Sequence, residues 1–220
     1  MKHQQPFGLN IQCSALVLNF NYIFLIGHLY RAGQAMNAST ATSPDVSGNL
    51  IEPSNRKKIS KNMSQVLVKN VIQQLSEIQD GSLWFDQYFK EKINKLSDTE
   101  ALTRPILQVH SVAEHISHIL EWRKECLLRF KGQRTDLMNS ADDWKDNIAL
   151  SKIGWTNLKN LFYESTVTLI NALKNQDDTY LKTKFLDTDY DFHYLIEGII
   201  QHDLYHLGQI GVTIKLLNQK

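Results

Sequence analysis

From Ser64 to the end of the chain, apolar residues return at the three- and four-residue steps of an α-helix. Val68, Val71, Ile72, Leu75 and Ile78 share one face. After Asp80-Gly81-Ser82 the pattern resumes with Leu83, Phe85, Phe89 and Ile93, which predicts one long helix over 64–95 with a weak point at Gly81. A second helix announces its start with Ser111-Val112-Ala113-Glu114, a capping box in which the serine side chain accepts from the amide three residues on and the glutamate reaches back. Its stripe is Val112, Ile116, Ile119, Leu127 and Phe130, and Lys131-Gly132 ends it. A loop through Asp142-Asp143-Trp144 leads to a third helix, whose buried side is marked by Ile153, Leu158, Leu161, Phe162, Leu169, Ile170 and Leu173 as far as about Asn175. Asp189 or Asp191 caps a fourth, from about 192 to 217. No stretch alternates with the period of a strand. Four long amphipathic helices joined by polar connections predict an all-α four-helix bundle.

Residues 1–62 break this pattern. Ile11 to Gly27 is apolar but interrupted by Gln12, Asn19 and Asn21, and a Ser/Thr/Asn/Pro-rich run and the basic cluster Arg56-Lys57-Lys58 follow. A membrane-spanning helix needs about 20 mostly apolar residues, and two asparagines near the centre disqualify this one, so no stable membrane insertion is expected. With a single lysine, Lys2, ahead of a long lead, it also makes a thin signal peptide. Residues 1–62 therefore read as an irregular N-terminal extension, either disordered or a weak targeting segment, and 63–220 as the bundle domain opening at Met63. The expected location is cytoplasmic, with export as the alternative if residues 1–30 act as a signal segment.

Charge sharpens the same boundary. The formal net charge is +1, but residues 1–62 hold six Lys/Arg against two Asp/Glu, while the rest hold 18 against 21. A mildly acidic body lacks the clustered basic face that nucleic acid requires, so no nucleic-acid partner is expected. The two cysteines, Cys13 and Cys126, are too far apart for a metal-ligand spacing and form no disulfide framework.

The chemistry concentrates in the fourth helix, in Gln201-His202-Asp203-Leu204-Tyr205-His206-Leu207-Gly208-Gln209-Ile210. His202 and His206 stand one turn apart on the face that also carries Leu195, Ile199, Gln209, Thr213 and Leu217, so both imidazoles point inward. Such a pair is either two hydrogen-bonded core histidines or two ligands for one transition metal at about 2.0–2.1 Å. The second reading needs a third ligand, and the second helix offers His115 and His118. On the helical wheel His115 lies roughly 75° from the centre of the apolar stripe and His118 roughly 135°, so geometry alone favours His115. Arg123 falls almost on that stripe and needs an internal partner or an open bundle. Competing patterns fail: there is no His-Glu-x-x-His, no Glu-x-x-His, no Gly-rich phosphate loop, and nothing that favours a Ser/His/Asp triad. Imidazole donors suit Zn, Ni, Cu or Fe alike.

Ser111-Val112-Ala113-Glu114-His115-Ile116-Ser117-His118-Ile119-Leu120 resembles the second-helix signature of the DinB-like family, and His202-Asp203-Leu204-Tyr205-His206-Leu207-Gly208-Gln209-Ile210 resembles its His-x-x-x-His-x-Gly-Gln ending. The likeness runs from about Ser64 to Asn218. It implies a four-helix bundle holding one divalent metal, Zn or Ni, on three histidines. By position these are His118, His202 and His206, with His115 kept as the alternative. Gln209 and Tyr205 then become the nearest candidates to support the ligands or line the entrance. The resemblance further implies a metal-dependent enzyme acting on a small molecule, either a transferase using a low-molecular-weight thiol or a hydrolase. The alternative is a non-catalytic metal- or small-ligand-binding stress protein. A homodimer is compatible with either.

Overall fold

The computed structural model describes residues 64–219. The expectations for residues 1–62, and for a domain start at Met63, lie outside the described residues. Among the described residues eight α-helices follow in order: α1 Val66–Asp80, α2 Phe89–Ile93, α3 Asp98–Leu102, α4 Val112–Phe130, α5 Asn147–Ile153, α6 Trp155–Lys174, α7 Asp178–Leu181 and α8 Phe192–Leu217. A single 3-10 turn, Leu137–Asn139, lies between α4 and α5. The described residues contain no strand, only an isolated bridge between Lys184 and Asp191. No helix among them is long and apolar enough to cross a membrane.

The four long helices form the expected bundle. α1 and α4 each pack against both α6 and α8, which places α1 opposite α4 and α6 opposite α8 around the core. Val71, Leu75 and Ile78 of α1, Ile116 and Ile119 of α4, Leu158, Phe162 and Leu169 of α6, and Ile196, Ile200 and Ile210 of α8 meet there, all buried. Burying each such side chain contributes about 1.5–3 kcal/mol relative to leaving it in water.

Two expected helices are broken, both at glycine. Gly81 adopts φ 122°, ψ −175°, a conformation open almost only to glycine, and a Cβ there would meet Tyr88 Cε1 at 3.3 Å. The helix predicted over 64–95 therefore stops at Asp80. Its second half becomes a loop exposing Trp84 and Phe85, followed by α2, which buries Phe89 and Ile93. Gly154 likewise sits at φ 82°, ψ 142°, dividing the third predicted helix into α5 and α6.

The capping signals hold. Ser111 Oγ accepts from the Glu114 amide at 3.1 Å while the Glu114 carboxylate accepts from the Ser111 amide at 2.8 Å, fixing the start of α4. Asp191 caps α8 by accepting from the Tyr194 amide at 2.8 Å. α1 has no side-chain cap of its own. Its first amides instead reach across the bundle to α7, where Asp178 accepts from Val66 at 2.9 Å and from Val68 at 3.1 Å.

The stripe residue Arg123 is buried and paired. Its Nε and Nη2 donate to Asp203 Oδ2 on α8 at 3.1 and 2.7 Å, and its Nη1 donates to Phe162 O, Ser165 Oγ and Thr166 Oγ1 on α6. The guanidinium also lies over the Phe162 ring, 4.3 Å from its centroid. One side chain thus ties together the three helices α4, α6 and α8.

Candidate metal centre

His118 stands in the second turn of α4, while His202 and His206 occupy successive turns of α8, and all three are buried. Because α4 and α8 are neighbours, the rings converge. His202 Nε2 lies 3.0 Å from His118 Nε2 and 3.0 Å from His206 Nε2. One ligand atom from each of the three falls within 4.8 Å of the others, so the group could hold a metal ion. Burial, followed by the other nearby histidines, holds His202 and His206 well below the ordinary imidazole range, which keeps them neutral near pH 7.

Whether these residues suit a metal can be tested on the donor set itself. The Nε2 of a neutral imidazole carries either one proton or one lone pair. His202 Nε2 faces two other Nε2 atoms and can complete a hydrogen bond with only one of them. A cation at the meeting point would satisfy all three lone pairs at once. Tetrahedral bonds of about 2.0–2.1 Å place ligand nitrogens about 3.3 Å apart, close to the separations seen. The residues fit the ion.

His115 is also buried, but its ring centre lies 5.3 Å from that of His206, and it is not one of the converging three. Burial first, then His110 and His118, pushes it down to about 3. The wheel favoured His115 because it assumed a single buried stripe. α4 is in fact buried continuously from Val112 to Leu120, among α3, α5, α6 and α8, so distance from a stripe centre does not rank its residues.

The surroundings include residues that spacing could not single out. Asp143, in the loop before α5, meets His118 Nδ1 through its backbone oxygen at 2.8 Å and its Oδ1 at 3.0 Å. Trp122 Nε1 donates to the same Oδ1 at 2.8 Å. Trp144 is sandwiched between two imidazoles, His118 at 3.9 Å and His110 at 4.0 Å, both nearly parallel to it. The expected supports take lesser parts. Tyr205 is 43% exposed, and Gln209 Nε2 donates to its hydroxyl at 2.9 Å. Gln209 also lies near enough to His206 to offset a little of the effect of burial.

Carboxylates around the histidines are held by other groups. Arg104 grips both oxygens of Glu114, at 2.8 and 2.6 Å. Burial pushes Glu114 up, but the neighbouring His110, and hydrogen bonds from Arg104 and the Ser111 amide, outweigh it and leave the carboxyl at about 2. Burial raises Asp203 against the pull of Arg123. Cys126 is buried and its thiol is pushed up to about 12, so it is an inert core residue.

No curated protein and no solved structure matches the chain. The DinB superfamily profile does match, over residues 86–210, from the loop after α1 to the last turns of α8 and across all three converging histidines. The match covers more than half of the chain, and the protein belongs to the DinB superfamily.

Proposed function

We propose that the protein binds one divalent ion, zinc or nickel, through Nε2 of His118, His202 and His206, and that it is a metal-dependent enzyme, a low-molecular-weight thiol transferase or a hydrolase. The convergence of three buried Nε2 atoms from two helices carries this reading. Three protein ligands leave a coordination position for a small molecule, as catalytic sites do and closed structural sites do not. A bound ion there supplies Lewis acidity, lowering the pKa of a thiol or water so that it is a nucleophile near neutral pH. The chain's own residues present the three lone pairs, keep the His202 and His206 rings neutral by burial, and close one side with the Trp144 indole. We place the protein in the cytoplasm, where a thiol cosubstrate stays reduced.

The commitment of Glu114 to Arg104 and of Asp203 to Arg123 favours a second reading. With those carboxylates engaged, general-base catalysis would fall to the histidines of the cluster, and a non-catalytic metal- or ligand-binding protein needs no base. Metal analysis of the purified protein is the first test. We expect close to one divalent ion per chain, lost in His118→Ala, His202→Ala and His206→Ala and kept in His115→Ala. Cobalt-substituted protein titrated with a small thiol should then develop a thiolate charge-transfer band, and turnover with thiols and soft electrophiles should follow. Metal without band or turnover, and without ester or amide hydrolysis, leaves the binding protein. A chain that takes up no metal refutes both forms of the site.

A further inference from the structure

Nδ1 of His118 faces two oxygens, the backbone carbonyl and the carboxylate of Asp143, at 2.8 and 3.0 Å. A backbone carbonyl can only accept, so the ring proton facing it sits on Nδ1, which in a neutral imidazole leaves the lone pair on Nε2. That lone pair is the one aimed at His202.

Asp143 is itself fixed. Its Oδ1 also accepts from Trp122 Nε1, its amide donates to Ser140 O at 3.1 Å, and the next-but-one residue, Lys145, is anchored to Glu121 and Asp142 at 2.9 Å each. Trp144 adds its stacking on His118. A loop braced at so many points holds the ring plane as well as the proton.

We infer that Asp143 is a positioning residue for the metal centre: its backbone oxygen and carboxylate together fix the His118 tautomer and ring orientation, and the carboxylate makes Nε2 a stronger donor. The inference rests on the three-histidine reading. Partners of this kind contribute about 10–100-fold in metal affinity where they have been removed. The effect is separable from packing, because Asp143→Asn can retain an oxygen for both Trp122 and His118 while losing only the charge.

The test uses the full chain stripped of metal, titrated with zinc against a coloured chelator, and nitrogen-15 spectra of its imidazoles. Wild type should show His118 as the single Nδ1–H form. Asp143→Asn should keep that form yet bind zinc about tenfold more weakly, and Asp143→Ala, whose backbone oxygen still holds the Nδ1 proton, should bind up to about 100-fold more weakly and shift the His118 nitrogen-15 signals. A residue of merely structural value would lower the unfolding midpoint and leave the His118 signals and the affinity alone. Zinc affinities within twofold of wild type in both variants, with His118 unchanged, overturn the inference while the metal site stands. Absence of zinc binding by the wild type removes the three-histidine reading, and the inference with it.

Discussion

The Arg123–Asp203 pair makes an asymmetric prediction about charge in the core. Both side chains are fully buried, and the guanidinium makes five hydrogen bonds. Removing one partner of a buried pair costs roughly 3–5 kcal/mol, since it strands the other charge. For a domain of this size that lowers the melting midpoint by on the order of 10 °C. The two single substitutions should nonetheless differ with pH. Asp203→Asn strands a guanidinium, which cannot shed its proton, so its penalty should be flat between pH 5 and 8. Arg123→Met strands a carboxyl whose pKa burial already raises, and whose chief opposing influence, Arg123, is now gone. A folded-state pKa above the unfolded value means stability present at low pH and lost as pH rises toward the folded value. Arg123→Met should therefore lie closest to wild-type stability at the acid end of that range and fall away as pH rises. Arg123→Met with Asp203→Leu strands neither charge and should recover much of the loss, a coupling of about 2 kcal/mol or more. Urea midpoints of metal-free protein, each variant set against wild type at the same pH, provide the measurement. A pH-independent Arg123→Met, or a double variant no more stable than Asp203→Asn, would refute the reasoning.

Glu114, held at about 2, supplies stability that is present above its unfolded value near 4.5 and lost as pH falls through about 2; Glu114→Gln should flatten that acid limb in urea titrations. Gly154→Ala meets nothing within 4 Å but inherits φ 82°, so it should destabilise by about 1–3 kcal/mol through the backbone alone, and an unchanged urea midpoint would show that the chain relaxes instead. A chain beginning at Met63 should unfold cooperatively and keep its metal; a midpoint lowered by more than a few degrees would mean that residues 1–62 pack on the bundle.

Most of the bundle was legible because local rules decide it. Both ends of α4 and the start of α8 are written in caps that act over three residues, and His202 and His206 are brought together by one helical turn. The likeness to known second-helix motifs pointed to His118, which the structure does bring to the pair, where a wheel built on one stripe pointed to His115. The breaks at Gly81 and Gly154 were harder. An apolar pattern continues through both, and a single glycine in a helical pattern says only that a break is tolerated. Arg123 could be flagged as a misplaced charge, but its partner lies 80 residues away. Asp143 and Trp144 were visible only as loop residues, because nothing in their spacing records that the loop folds back over His118.

The cap that Asp178 provides for α1 bears on the order of assembly. α1 is 15 residues long and supplies no cap of its own, so it is marginal as an isolated helix. Its first amides must wait for a carboxylate 112 and 110 positions downstream. During synthesis the earliest of the four bundle helices is thus completed only after the third has been made and α7 has followed it. Closing so large a loop is slow compared with forming α4, whose cap sits three residues away. Pulse-labelled exchange during refolding should find the Val66 and Val68 amides protected after those at the start of α4; protection in the opposite order would mean that α1 nucleates unaided. The beginning of this bundle is finished near its end.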